Sequence, residues 1–184
     1  MFQQPTVLPS SELSAGISAM MMIIAEAEAA FGRRDGQYAI NQSIAYGDHS
    51  PRATGMEING KKICFICLSS DSMIGWPCFM FEMAHEAVHA LNPRNGPASY
   101  LEEGIAVWFS QEMCKKHGYK YNAATGKYKK ALELIKKIPE EPTEAVKIVR
   151  SRHANLTDIT PAELIECFPT IDPLVAQRLA NKMA

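Results

Sequence analysis

The chain has 184 residues, 47% of them hydrophobic and 21% charged, which is enough for one domain with a buried core and excludes a disordered or collagen-like chain. The formal net charge is −1, so no overall field attracts the chain to nucleic acid or to an anionic membrane, and we expect neither as a partner. The five cysteines are odd in number and lack the spacing of a disulfide framework, which predicts free thiols in a cytoplasmic, reducing compartment.

The first predicted element is a helix over residues 13–31, where apolar residues recur at helical spacing behind Ser10, a good capping residue. Its most apolar part, Ile17–Ala25, lies between Glu12 and Glu26 and is much shorter than the roughly 20 residues of a membrane span. No Lys or Arg precedes it, so it also lacks the basic start of a signal peptide. We therefore expect a core helix.

The next segment predicts strands and turns. Tyr38–Tyr46 is a candidate strand, and Gly47–Gly55 is a polar loop. Met56–Ile58 and Lys61–Leu68 flank Asn59-Gly60, which is a strong signal for a β-hairpin. The second arm of this hairpin is almost continuously apolar, so we expect it to be buried on both faces.

The remainder of the chain predicts helices. The first begins near Pro77 and ends before Pro93, and a second follows from about Ser99 to Lys116. Four shorter helices are expected near residues 123–138, 142–153, 160–167 and 172–183, the third behind a capping box formed by Thr160 and Glu163 and the last behind Asp172.

These elements predict an α+β architecture in one domain, residues 1–184. We expect a small antiparallel sheet and the two long central helices in residues 1–118, and a helical C-terminal subdomain in residues 119–184.

The segment His85-Glu86-Ala87-Val88-His89 is an HExxH motif within an otherwise apolar helix. Residues four apart on a helix lie on the same side, so both imidazoles can reach one metal ion at about 2.0–2.1 Å. Glu86 projects beside them, where its carboxylate can act as general base toward a water molecule. Because buried charge is costly unless it is paired or coordinated, this pattern predicts a zinc site rather than a structural role for the motif.

A catalytic zinc site needs a third protein ligand, and the segment Leu101-Glu102-Glu103-Gly104-Ile105-Ala106 offers two carboxylates. An HExxH helix followed by a Leu-x-Glu-Gly-x-Ala helix resembles the gluzincin metallopeptidases, which include thermolysin and the zinc aminopeptidases. The resemblance covers about residues 76–113, and its aminopeptidase branch implies Glu103 as the third ligand. Ser99 and Glu102 fit a capping box, which would leave Glu103 facing the metal, and Gly104 would let this helix approach the HExxH helix. Either carboxylate nevertheless remains a possible ligand.

The resemblance implies a zincin-like fold and a zinc-dependent metallopeptidase that hydrolyses peptide or protein substrates, with His85, His89 and Glu103 as zinc ligands and Glu86 as the catalytic base. It also implies a strand beside the active-site helix to which an extended substrate adds, for which Lys61–Leu68 is the natural candidate. The departures are a short spacing of thirteen residues between His89 and Glu103 and the absence of an exopeptidase substrate motif.

Two other functions are compatible with the motif. Peptide deformylases use HExxH with a cysteine ligand, and Ile66-Cys67-Leu68-Ser69 partly resembles that context, which would make the chain a non-peptidase zinc amidase. The pair Cys64 and Cys67 is not expected to form a zinc knuckle, because residues three apart in a strand point to opposite faces. The other alternative is a metal-stabilised binding or regulatory protein without turnover.

Two further features are undecided by the sequence. The donor to the oxyanion could be any of several polar side chains: Tyr46, Tyr100, Tyr119, Tyr121, His117 or His153. The basic residues between Lys115 and Lys137 predict a solvated helix surface, with docking of an acidic partner as the alternative.

Overall fold

A computed structural model describes residues 7–153 and 155–183. Within that part of the chain, seven α-helices and three strands form an α+β structure, as the sequence predicts. The elements, in chain order, are α1 (Leu13–Phe31), β1 (Tyr38–Gly47), β2 (Arg52–Ile58), β3 (Lys61–Ser69), a short 3-10 helix (Ser70–Met73), α2 (Trp76–His89), α3 (Tyr100–Lys116), α4 (Gly126–Ile135), α5 (Pro142–Arg152), α6 (Pro161–Cys167) and α7 (Pro173–Ala180).

The internal contacts divide the chain into two compact units. The first contains residues 7–29, 33–95 and 109–123, and so holds most of α1, the sheet, α2 and the second half of α3. The second contains residues 30–32, 96–108, 124–153 and 155–183, which comprise the first half of α3 and helices α4 to α7.

The sheet has the strand order β1-β3-β2 and is mixed, so the prediction of an antiparallel sheet is wrong for β1. The hairpin of β2 and β3 is antiparallel as predicted, and Asn59 and Gly60 take the positive φ angles, 51° and 75°, that a two-residue turn of this kind requires. β1 pairs with the edge of β3 that lies opposite β2, and these two strands run in the same direction.

The central position of β3 overturns two further expectations. Cys64, Ile66 and Leu68 are at most 1% exposed, whereas the side chains on the other face are only half-buried, so β3 is not buried on both faces. Both edges of β3 are already paired, which leaves no edge of this strand to which a peptide could add. The polar loop predicted over Gly47–Gly55 is also shorter than expected, because β2 already begins at Arg52.

The helix α1 has a well-buried side. Met20, Ile23 and Ala27 have no exposed surface, which fits the predicted core helix. By length and composition alone, the window Ser14–Phe31 could cross a membrane, with a mean hydropathy of 1.3 and 39% of the window buried. The core helix of a soluble protein and a signal sequence near the N-terminus both meet the same test, so the cytoplasmic location stays a prediction.

The helices α4 to α7 occupy the predicted places, with ends a few residues shorter than expected. The predicted capping box of α6 is confirmed, because the Thr160 hydroxyl accepts a hydrogen bond from the Glu163 N–H and the Glu163 carboxylate accepts one from the Thr160 N–H. The predicted cap of α7 is also confirmed, since Asp172 Oδ1 accepts from the Leu174 N–H at 2.7 Å.

Candidate metal centre

Glu82, halfway along α2, ties this helix to the chain that precedes it, and it was not among the predicted functional residues. Its Oε2 accepts hydrogen bonds from the Ser69 N–H at 2.9 Å and the Ser72 hydroxyl at 2.6 Å, and its Oε1 accepts from the Ser69 hydroxyl at 2.6 Å. Both carboxylate oxygens are therefore bound to the segment that leaves β3. The only hint in the sequence is a second glutamate one helical turn before Glu86.

The end of α2 is fixed by the chain that follows it. The Asp35 N–H donates to the Leu91 carbonyl at 2.8 Å. Pro93 lies against β2 at Gly55, where an added Cβ would be 3.1 Å from the Pro93 carbonyl oxygen. α2 is thus held within the first unit at its middle and just beyond its C-terminal end.

His85 and His89 face each other on α2, one helical turn apart. Their Nε2 atoms are 3.2 Å apart, and their rings have centroids 5.0 Å apart at an interplanar angle of 61°. Two ligand atoms at about 2.0–2.1 Å from one ion are about 3.3–3.4 Å apart at the tetrahedral angle. The observed separation of the two nitrogens therefore fits a shared zinc ion.

Glu103 on α3 completes the cluster. One ligand atom from each of His85, His89 and Glu103 lies within 4.8 Å of the other two. Neither Glu102 nor Cys67, the two rival ligands from the sequence analysis, belongs to this cluster. The structure thus brings together the three residues that the sequence analysis assigned to the metal, and their role as ligands stays a prediction.

Glu102 is buried, with 4% of its surface exposed, at the beginning of α3. The predicted capping box is only half formed, because the Glu102 N–H donates to Ser99 Oγ at 3.2 Å while the Ser99 N–H donates to Thr157 Oγ1 at 2.9 Å. Thr157, which is distant in the sequence, thus replaces the glutamate side chain as acceptor. The predicted cap thus holds the Glu102 N–H but not the Glu102 side chain.

The expected role of Gly104 is wrong. A Cβ at this position would lie 2.5 Å from Ile135 Cγ2 and 2.6 Å from the Ala131 carbonyl oxygen, both on α4. The glycine thus permits a close approach of α3 to α4, and not to the HExxH helix. The sequence could not decide this, because a small residue on a helix indicates a close neighbour without identifying it.

Glu86 lies on the inner side of α2, with 2% of its surface exposed. The pKa of Cys64, on β3, is raised to about 12, first by burial of the thiol and second by the nearby charge of Glu86, against a smaller lowering by Arg34. The charge of Glu86 thus acts on a thiol of β3, and its side chain has little contact with water. A carboxylate in such surroundings interacts with nearby charge more strongly than one at the surface.

The candidate donors to an oxyanion are scattered. The Tyr121 hydroxyl donates to Cys78 Sγ at 3.4 Å, and this bond together with burial raises the pKa of Tyr121. Burial raises the pKa of Tyr46 to about 12. His153 ends α5, as its alternative role as a cap predicts, with its Nδ1 3.4 Å from Glu163 Oε1. No donor is assigned by these contacts.

The basic segment Lys115–Lys137 passes from the first unit to the second. In the first unit, Lys116 forms a 2.6 Å ion pair with Glu26. In the second unit, the lysines of α4 are exposed, which agrees with a solvated helix surface. Docking of an acidic partner stays a prediction.

Cys64 is buried and Cys67 half-buried, on opposite faces of β3, as the spacing predicts for a strand.

Comparison of the chain with protein-family models, with curated proteins and with solved structures finds no match.

Proposed function

We propose that the chain is a gluzincin-type, zincin-like metallopeptidase that hydrolyses peptide bonds in peptide or protein substrates. The observation that carries this proposal is the convergence of one ligand atom each from His85, His89 and Glu103 within 4.8 Å. The buried Glu86 follows His85 directly in the sequence. Two imidazoles and one carboxylate are a ligand set of catalytic zinc sites, which keep one position open.

The residues present fit Zn²⁺. The 3.2 Å separation of the two imidazole nitrogens suits ligands of one tetrahedral ion, and Glu103 would supply the negative charge that two neutral imidazoles lack. A zinc ion held here would polarise the substrate carbonyl and make water more acidic.

Glu86 is the general base of the proposed reaction. Its carboxylate accepts a proton from the attacking water and then transfers that proton to the amine that leaves. Glu86 is 2% exposed, so bulk water has little access to the carboxylate assigned to this proton transfer.

The substrate is proposed to bind along β2 rather than β3. In the strand order β1-β3-β2, no strand of the described residues pairs with the outer edge of β2, and α2 packs against β2 as well as against β3. An extended peptide can pair with such an edge through main-chain hydrogen bonds.

The first test is the zinc content of the purified chain by elemental mass spectrometry. Glu103→Gln should lose most of the bound zinc, because it removes the anionic ligand, whereas its matched neighbour Glu102→Gln should keep it. Loss of zinc in Cys67→Ala instead would support the deformylase-like amidase. A wild-type chain that binds no zinc when zinc is supplied would refute the proposed metal centre.

The second test separates an enzyme from a metal-stabilised binding protein. Glu86→Gln should keep its zinc and lose hydrolysis of a peptide library by about 10²–10⁴-fold, the usual effect of removing a general base. Zinc-loaded wild type that cleaves no peptide in the library would favour the protein without turnover.

A further inference from the structure

A cavity of about 390 Å³ lies in the second unit, and the described residues that line it include none of those assigned to the metal or to proton transfer. Its volume falls within the range of about 300–1,000 Å³ that is typical of small-molecule sites. The residues that line it are Tyr100, Lys130, Leu134, Arg178, Asn181 and Lys182.

The walls of this cavity are tied together by backbone hydrogen bonds. The Tyr100 N–H donates to the Asn181 carbonyl at 2.9 Å, and the Met183 N–H donates to the Ala98 carbonyl at 2.7 Å. The segment after α7 is thereby joined to the first turn of α3. Leu134 on α4 is 4% exposed and gives the cavity an apolar side. The cavity is therefore a built feature of the unit.

The charge of the lining is one-sided. Lys130 Nζ lies 5.6 Å from the centroid of the Tyr100 ring, and Lys182 Nζ lies 3.1 Å from Asp158 Oδ1. Arg178 forms no ion pair with any residue in the described part of the chain. Among the described residues that line the cavity there is no carboxylate, so within this part of the chain one nearby aspartate faces three cationic groups.

We propose that this cavity binds the phosphate group of a small phosphomonoester. The three cations and one aspartate leave an excess of two positive charges, which matches the charge of about −1.5 to −2 on a phosphate monoester at pH 7. The planar guanidinium of Arg178 can donate two parallel hydrogen bonds to phosphate oxygens. The Tyr100 ring and Leu134 would contact the apolar part of the ester. A monocarboxylate would neutralise only part of this charge.

Isothermal titration of the full-length chain with phenyl phosphate, inorganic phosphate and benzoate tests the proposal. Phenyl phosphate should bind more tightly than inorganic phosphate, since its ring adds apolar contact, and both should bind more tightly than benzoate. Arg178→Gln should weaken the binding of phenyl phosphate by about tenfold or more, as expected for loss of a charge-assisted pair. Lys130→Gln should weaken it as well.

The matched control is Lys129→Gln, which removes the same charge from an exposed position of α4 that does not line the cavity. It should change the affinity by less than about twofold, because an exposed charge outside the site is screened by salt. Benzoate that binds as tightly as phenyl phosphate would overturn the proposed ligand class. Equal losses in Lys129→Gln and Arg178→Gln, or no saturable binding up to about 10 mM, would overturn the site.

Discussion

Replacement of Gly104 by alanine should destabilise the second unit, although alanine is the better helix former. The added Cβ would meet Ile135 Cγ2 at 2.5 Å and the Ala131 carbonyl oxygen at 2.6 Å. The end of the isoleucine side chain can rotate away, but the carbonyl oxygen belongs to the backbone of α4. Relief of the clash therefore requires α3 and α4 to move apart.

The two contributions to the free energy of unfolding have opposite signs. Alanine in place of glycine within a helix stabilises by about 0.8–1.0 kcal/mol. Overpacking in a close-packed interior costs about 1–3 kcal/mol, and contact with backbone belongs at the upper end of that range. The net loss should be about 1–2 kcal/mol, which corresponds to a fall of about 2–8 °C in Tm for a chain of this length.

Urea denaturation followed by tryptophan fluorescence and by circular dichroism measures this loss. Trp108 belongs to the second unit, where its ring lies 6.2 Å from that of Phe31, and Trp76 belongs to the first, so the fluorescence follows the unfolding of both units. The matched control is Gly47→Ala in β1, where an added Cβ has no neighbour within 4 Å, and it should stay within about 0.5 kcal/mol of the wild type. A Gly104→Ala variant as stable as the wild type would refute the close packing of α3 on α4.

Three further predictions concern other parts of the chain. Gly55→Ala should lower the free energy of unfolding by about 1–3 kcal/mol in the same urea assay, because the added Cβ would lie 2.7 Å from Tyr38 Cε1 and 3.1 Å from the Pro93 carbonyl oxygen. Stability equal to that of the wild type would contradict the contact between Gly55 and Pro93. When iodoacetamide labelling at pH 8 is mapped by mass spectrometry, Cys64 should stay unlabelled. A pKa of about 12 leaves only about one Cys64 side chain in ten thousand as the reactive thiolate at this pH. Rapid labelling would show that burial does not protect the thiol. Glu163→Gln should destabilise the chain at pH 7, and the loss should shrink as the pH falls below 4.5. Hydrogen bonds from Thr160 lower the carboxyl pKa below its ordinary 4.5, and the stability that this shift provides is lost as the pH falls through the folded-state pKa. Thermal melts that keep the same difference at every pH would argue against this.

The predictions that succeeded depend on signals within a few residues of each other. Asn59-Gly60 specifies its hairpin through the φ angles that these two residues tolerate, and Thr160 and Glu163 specify a helix start through hydrogen bonds within one turn. The HExxH spacing likewise places His85 and His89 on one side of α2 without reference to the remainder of the fold.

The predictions that failed depend on partners distant in the sequence. The parallel pairing of β1 with β3 follows from which side of the hairpin β1 occupies, and this also decides that β3 is central. The neighbour of Gly104 is a helix some thirty residues further on. Thr157 takes the place of Glu102 at the Ser99 N–H across almost sixty residues. No local pattern encodes such choices, because each of them is made by tertiary packing.

The joining of residues 98–100 to residues 181–183 has a consequence for the order of folding during synthesis. The Tyr100 N–H, near the beginning of the helix that carries Glu103, finds its acceptor at Asn181, and Ala98 accepts from Met183. At about 5–20 residues per second, the ribosome needs several seconds to make the chain between these partners. Until then the first turn of α3 lacks these bonds, so the second unit, and Glu103 with it, should reach its final arrangement after translation has passed residue 183.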